Sequence, residues 1–521
     1  MDSLEPGHDS LEPIADSLVP GVDSLEPRHD SLPPGVDSLV SDADSLVPAA
    51  KVLDPGGDSF RAFRLGRAPF AFGRATFGAM LLADRLGGLS FPAMIERSTA
   101  VAEPGALSRE DFVALDESDP LRAHRDLFVL PDGVLYLDGN SLGALPKATA
   151  ARVRAAIEEE WGRDLIRSWN SAGWIDLPAV LGDKIGRLVG GRPGETVVAD
   201  STSINLWKVL AAALALNPSR RRIVSQRDNF PTDLYMAQGM IRLLGREHEL
   251  TLLDDDPDAE TIEAALQSDV AVLMLTHVNY RTGRIHDMAR LSAAAHRAGA
   301  LAIWDLAHTA GALPVDLNEA GADFAVGCGY KYLNGGPGAP AFLWVAPRHQ
   351  EAFAQPLSGW LGHAAPFDFD PAYRPAPGVA RYLCGTPPVL SMTALGCGVD
   401  TVLAADPQAL RQKSMRLTDL FIQCVEARAG ASSGLTLASP RDAEERGSQV
   451  SFRHAQGYPV MQALIARGTI GDFRAPDILR FGFAPLYLRY VDVWDAAEAL
   501  ADVLRSGAWD RPEFHRRSAV T

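Results

Sequence analysis

From Ser108 onward the apolar positions follow two alternating patterns. One is helical: "KATAARVRAAIEEEW" (147–161), "STSINLWKVLAAALAL" (201–216) and "MARLSAAAHRAG" (288–299) space apolar residues three and four apart among good helix formers. The second of these opens on hydroxyl residues suited to capping. The other pattern is a short apolar run: "RRIVSQ" (221–226), "VAVLMLTH" (270–277), "ALAIWDLAH" (300–308) and "DFAVGCGYK" (323–331). Runs of this kind between helices predict a parallel sheet with crossover helices, an α/β fold. Function in such sheets collects at the carboxyl ends of the strands. Those ends carry Thr276 and His277, Asp305 and His308, and Tyr330 and Lys331. After Pro375 the texture changes. "MTALGCGVDTVL" and "KSMRLTDLFIQCVEAR" read as helices, and "QVSFRH" (449–454) and "ILRFGFAP" (478–485) as strands. The pattern predicts a large domain over 108–375 and a smaller α+β domain over 376–508.

The front of the chain reads differently. Residues 2–50 are seven tandem heptads of the type DSLEPGH, with a leucine at a fixed position and a proline two residues later in all but one. Proline at that frequency removes helix hydrogen bonds and clashes with the preceding turn, which argues against a coiled coil. The segment has no aromatic residue to bury, so the expectation is disorder. Residues 51–93 are Arg-rich and acid-poor, like a transit peptide but internal, and Met94 is a candidate start that would leave 428 residues. The heptads hold eleven acidic residues and one basic one, hence −10 of the chain's net −17. The remaining −7 gives no reason to expect a nucleic-acid partner. Four cysteines without a CxxC pair fit a reducing cytoplasm better than a disulfide framework or a zinc site. No apolar run approaches the roughly 18 residues of a bilayer span, so no membrane partner is expected.

Three features carry candidate chemistry. "DSTSIN" puts hydroxyls and free backbone N–H groups at a helix start, which suits a phosphate as well as an ordinary cap. "WDLAH" ends a very apolar strand on Asp305, a carboxylate that needs a positive partner such as a protonated ring nitrogen. Asp305 and His308 could instead begin a metal site, but no further His or Glu cluster completes one, and no metal is expected. "GCGYKYLNGGPG" (327–338) ends the next apolar run on Lys331. Such a lysine is ordinarily a solvated strand end; in a partly desolvated pocket it becomes an imine former. A phosphate cradle, a buried aspartate and a lysine at successive strand ends match the three handles of pyridoxal 5′-phosphate.

The order "DGNSLG", "NFPTD", "THVNYRTG", "WDLAHTAGALPVDL", "GCGYKYLNGGPG", "PLSGWLGH", "RYLCGTPP" and "LRFGFAPLY" closely resembles kynureninase, from about Leu115 to about Leu504. The resemblance implies a fold-type I pyridoxal-phosphate architecture. That means a mainly parallel seven-stranded sheet, a smaller C-terminal domain, and a segment 108–145 that joins the latter. It implies that Lys331 holds the cofactor aldehyde and shuttles the Cα proton, and that Asp305 holds the pyridinium proton with support from His308 on a following helix. Phe230 would lie on the ring, Asp233 and Thr276 near it, and Thr202 and Ser203 on the phosphate. Tyr330 would contact the phosphate and donate protons. Trp360 and Thr386 match phosphate-side residues that the family supplies across a homodimer interface. Arg480 matches the substrate-carboxylate arginine, and Asn140, Ser141 and Trp169 lie in segments that line the substrate's aromatic end.

The implied reaction is hydrolysis of the Cβ–Cγ bond of L-kynurenine, or of 3-hydroxykynurenine, to anthranilate or its hydroxylated form and L-alanine. Two readings compete. One is a cysteine desulfurase-like lyase or aminotransferase on the same fold; a desulfurase needs a cysteine on a mobile loop, and neither Cys328 nor Cys384 sits in an obvious one. The other is a non-catalytic scaffold with the heptads as a binding arm, which intact Lys331, Asp305, Tyr330 and Arg480 weigh against.

Overall fold

The computed structural model describes residues 108–518 apart from 246 and 354, so the heptads, the Arg-rich stretch and Met94 lie outside the described residues. Seven strands form the main sheet: β1 (Thr196–Ala199), β2 (Arg222–Gln226), β3 (Glu249–Leu253), β4 (Val270–Thr276), β5 (Leu301–Asp305), β6 (Phe324–Gly327) and β7 (Ala341–Val345). Their spatial order is β1-β7-β6-β5-β4-β2-β3. All neighbours are parallel except β7, which runs antiparallel to both β1 and β6. Two reversals cancel, so β1 points the same way as β4, β5 and β6, and all four strands end on one edge.

That edge is where the chemistry gathers. β4 ends at Thr276 and β5 at Asp305, paired side by side in the sheet. The chain leaving β6 reaches Tyr330 and Lys331 within a few residues. The chain leaving β1 enters the helix Thr202–Leu216, whose N-terminus therefore faces the same edge. Ser201 caps it by accepting from the Ile204 N–H, and Asp200 before it turns the chain at φ +44°. Every residue of β4 and β7 is buried, as expected for strands covered by helices on both faces.

A second, antiparallel sheet sits in the C-terminal part. Its strands are β8 (Thr436–Leu437), β9 (Gln449–Arg453), β10 (Asp472–Arg474) and β11 (Ile478–Gly482), in the order β8-β9-β11-β10. The N-terminal segment is built into it: Leu135–Tyr136 pairs with Thr469–Ile470, and Asp138 bridges to Gly482. Helix Arg109–Glu117, closed by a Ser108/Asp111 capping box, packs Phe112 edge-on against Trp494 of the helix Tyr490–Ser506, ring centroids 5.3 Å apart.

Two expectations are corrected. Residues 147–161 are α-helical only to Ala155 and continue as a wider turn through Trp161. His308 lies not on a helix but in successive turns, because Gly311 adopts φ +83° and Pro314 follows soon after. Gly311 has no room for a side chain, since a Cβ would stand 2.9 Å from the Tyr332 carbonyl.

Candidate active site

Lys331 is presented by a tight turn. The Asn334 N–H donates to the Lys331 carbonyl at 2.9 Å and the Gly335 N–H to the Gly329 carbonyl at 2.9 Å. From the N-terminal segment the Gly143 N–H donates to the Tyr330 carbonyl at 2.8 Å. This contact needs a glycine: a Cβ at 143 would stand 2.3 Å from the Lys331 carbonyl oxygen. The Lys331 Nζ lies 2.9 Å from His308 Nε2 and 5.9 Å from the ring centroids of both Phe230 and Tyr330. An ammonium only donates, so Nε2 accepts and the imidazole carries its proton on Nδ1, which is buried without a partner.

Two carboxyls face the lysine. Asp305 takes the Ala307 N–H at 2.8 Å, and Asp233 lies on the first turn of the helix Pro231–Leu244. Burial raises both carboxyls above the usual range; the Asp305 charge pushes Asp233 up further, and Lys331 pulls both down. His308 is driven well below its usual value, first by burial and then by the Lys331, Arg480 and Arg474 charges. Tyr330 is pushed up, first by the neighbouring Cys328 and then by burial, which keeps its hydroxyl protonated.

These groups line a single small cavity of about 60 Å³ together with Thr202, Ser203, Phe230, Thr232, Thr276, Tyr280 and Ala307. Nine sequence-derived candidates therefore meet in one place: Thr202, Ser203, Phe230, Asp233, Thr276, Asp305, His308, Tyr330 and Lys331. Thr232, Tyr280 and Ala307 were not assigned from sequence, although all lie inside motifs that mark the site. The lining fits pyridoxal phosphate at each end. The Thr202 hydroxyl is buried with no partner at a helix N-terminus, where it suits a phosphate oxygen. Asp305 is a buried carboxylate suited to a protonated ring nitrogen, and Lys331 brings an amine. Among the described residues no group of His, Cys, Asp or Glu could hold a metal ion.

Beside the cavity stands a buried charge cluster. Arg480 on β11 is 1% exposed and directs Nε, at 2.8 Å, and Nη2 to the two oxygens of Asp472 on β10. Its Nη1 donates to the Tyr280 carbonyl and its Nη2 to Ser141 Oγ, both at 2.8 Å. Arg474 donates to the same Asp472 at 2.7 Å and to Ser141 Oγ at 3.2 Å. Tyr280 thus joins cluster and cavity: its carbonyl holds Arg480, and its ring meets Phe230 edge-on at 5.3 Å. Asn140 is fully buried beside Arg480, and with its amide turned to suit its neighbours it accepts from Arg480 Nε at 3.0 Å. Sequence reasoning missed Asp472 and Arg474, whose only signal is a strand spacing that places them opposite Arg480 and Ile478.

Trp360, Thr386 and Trp169 are not brought to Lys331 within this chain. Trp169 and Trp360 pack edge-on at 6.2 Å. Trp360 lines a surface groove with Phe369, and Thr386 lines a separate cavity with Val198, Ala199 and Asp200 at the end of β1. Cys328 is 3% exposed and packs its Sγ toward the Ala307 carbonyl, leaving it without the mobility a desulfurase nucleophile requires.

Residues 410–500 match the family model of the kynureninase C-terminal domain. Over 418 residues, 80% of this chain and the whole of each relative, the chain is 58% identical to kynureninase of Burkholderia pseudomallei (strain 1106a) and 54% identical to that of Pseudomonas fluorescens. Among solved structures it resembles a cysteine desulfurase from Thermococcus onnurineus (TM-score 0.62, 18% identity, covering 73% of this chain and 97% of that one). It also resembles the lyase C-DES with glycine covalently linked to its pyridoxal-phosphate cofactor (TM-score 0.63, 16% identity, 73% and 99%). These structural likenesses carry the fold, and the identity over full-length relatives carries the family: the chain belongs to the kynureninases.

Proposed function

We propose that the cavity around Lys331 is where this enzyme cleaves its substrate, with the roles below for its residues. The enzyme is a pyridoxal-phosphate-dependent hydrolase of carbon–carbon bonds, and its reaction is that of kynureninase. Water and L-kynurenine give anthranilate and L-alanine. The water oxygen ends in the anthranilate carboxylate, the Cβ–Cγ bond breaks, and Cβ gains a proton to become the alanine methyl. When bound, the cofactor supplies an electron-withdrawing ring conjugated to the substrate's α-carbon.

Thr202, Ser203 and the helix N-terminus would hold the phosphate, and Asp305 would hold the proton on the ring nitrogen. Phe230 would pack on the ring, with Asp233 and Thr276 lining the same cavity. The Lys331 Nζ is the amine that would receive the cofactor's aldehyde, and it is the base that would move the Cα proton. His308 Nε2, at 2.9 Å, holds that nitrogen in line by accepting from it. Tyr330, whose hydroxyl stays protonated, delivers a proton in the bond-breaking half of the reaction. Arg480 orients the α-carboxylate, with Asn140 and Ser141 toward the rest of the substrate; Trp169, packed against Trp360 away from Lys331, rests on the resemblance alone. The Arg480 Nε and Nη2 already serve Asp472, so the carboxylate meets Nη1 and the neighbouring Arg474 rather than an open bidentate fork.

Trp360 and Thr386 complete the site of a second copy in a homodimer. The exposed Trp360, Phe367 and Phe369 support that reading as an apolar surface in want of a partner. The division at 375/376 into cofactor-binding and substrate-orienting parts, and a cytoplasmic location, belong to the same proposal.

The observation that carries the assignment is the meeting of the Lys331 amine, the buried Asp305 carboxyl and the unpartnered Thr202 hydroxyl in one cavity. Purified protein given pyridoxal phosphate and kynurenine should release fluorescent anthranilate and alanine in equal amounts. Loss of both products in Lys331→Ala, with the fold intact by circular dichroism, is the expected control; full turnover by that variant contradicts the assignment. Running 3-hydroxykynurenine alongside separates the two substrates by kcat/KM.

A further inference from the structure

The cluster beside the cavity holds two guanidiniums, Arg474 and Arg480, and two carboxyls, Asp472 and Asp138. Their bonding is lopsided. Asp472 receives Arg480 through two nitrogens, Arg474 at 2.7 Å and the Ser141 hydroxyl at 2.7 Å. Among the described residues no guanidinium bonds the Asp138 side chain; its near polar neighbours are the Asn140 amide at 3.3 Å, the Ser141 hydroxyl and the Asp472 carboxyl. The Asp138 backbone is fixed in the cluster: it bridges to Gly482, and its carbonyl takes the Ser141 and Leu142 N–H groups at 2.9 and 3.0 Å.

With both carboxyls ionised the cluster is neutral. A substrate α-carboxylate arriving at Arg480 and Arg474 would make three anions for two cations in a desolvated place. The carboxyl without a guanidinium partner is the one that can shed its charge most cheaply. We propose that Asp138 is a positioning residue that takes up a proton when the α-carboxylate binds, so that the arginine pair presents a net positive charge to the substrate. The inference rests on the assignment of Arg480 to the α-carboxylate.

The other groups facing Asp138 agree. Asp472 presses on it as a like charge, Arg480 opposes, and Ser141 lies within reach. The tyrosines around it, Tyr136, Tyr332 and Tyr487, are all pushed upward, by burial first and by Asp138 among the lesser causes, so they remain neutral. Burial first, and then Asp472, lift the Asp138 carboxyl to about 7.

The test uses the holoenzyme and 4-(2-aminophenyl)-4-oxobutanoate, which is kynurenine without its α-amino group and so brings the carboxylate but no aliphatic amine. Calorimetry in two buffers of different ionisation enthalpy counts the protons taken up on binding. With the free carboxyl near 7 and lifted by at least one unit in the complex, uptake at pH 7.5 is about half a proton per site or more. Affinity is highest below pH 7 and weakens as the pH rises through 7 to 8. Asp138→Asn should bind with uptake near zero and a Kd that no longer follows pH. Equal uptake in wild type and Asp138→Asn overturns the inference. If the variant does not fold, the wild-type Kd alone decides, and a flat profile from pH 6 to 9 overturns it too. Failure of the underlying assignment has a different sign: Arg480→Lys would then bind the probe as tightly as wild type.

Discussion

Gly143 of "DGNSLG" comes from the N-terminal segment and touches the turn that carries Lys331. Gly143→Ala adds one methyl group that would stand 2.3 Å from the Lys331 carbonyl oxygen, 2.4 Å from Asn334 Oδ1 and 2.8 Å from Asn334 Cα. The first and third of these are backbone atoms, so no flexible tip can swing away. Ordinary contact begins near 3.4 Å, and the turn must therefore retreat by about 1 Å or give up the Gly143–Tyr330 hydrogen bond. Overpacking of this kind costs about 1–3 kcal/mol in stability. Because the retreat moves the reactive amine itself, a shift of about 1 Å should lower kcat on the order of a hundredfold. The assay pairs a urea midpoint for the holoprotein with steady-state anthranilate release and the visible absorbance of bound cofactor. A variant with wild-type midpoint and wild-type kcat would refute the claim that this glycine seats the lysine turn.

The remaining expectations concern stability, pH and the cofactor. Gly239 lies inside the helix Pro231–Leu244, and a methyl group added there would meet only Trp207 at 3.5 Å and an Arg242 nitrogen at 3.8 Å; Gly239→Ala should raise stability by roughly 0.5–1 kcal/mol with turnover unchanged, read from the same urea midpoint. His277 and His286 are held neutral by burial, at about 3 and about 4 against the usual 6.5. The unfolded chain therefore binds more protons, and each histidine should remove about 2 kcal/mol of stability as pH falls from 7.5 to 5; His286→Gln should lose about half of that slope, and an unchanged slope contradicts it. Phe230→Leu removes the aromatic ring proposed to lie on the cofactor and should weaken cofactor binding by about 0.5–1.5 kcal/mol, roughly two- to twelvefold in Kd by equilibrium dialysis.

The sequence was most legible where a strand is buried on both faces and ends in a polar residue. β4, β5 and β6 announced themselves as uninterrupted apolar runs, and Thr276, Asp305 and Lys331 followed from their ends. β1 has only four residues, and the edge strand β3, Glu249–Leu253, is half-covered and mixed in pattern. β7 follows a Gly/Pro cluster that masks its start. The cavity's cofactor side was readable because local motifs carry it. The Arg480 cluster was not, because its partners come from three other segments, 138–141, the loop at Tyr280 and 472–474, that only the folded chain brings together. Trp360 and Thr386 could be assigned from resemblance alone; within one chain their positions lie away from Lys331.

Reduction of the holoenzyme with borohydride, followed by peptide mapping, tests the centre of this account most directly. The cofactor's mass should be found on the peptide containing Lys331, and be absent from Lys331→Ala. A tag on any other lysine, or none on protein that turns over kynurenine, contradicts it.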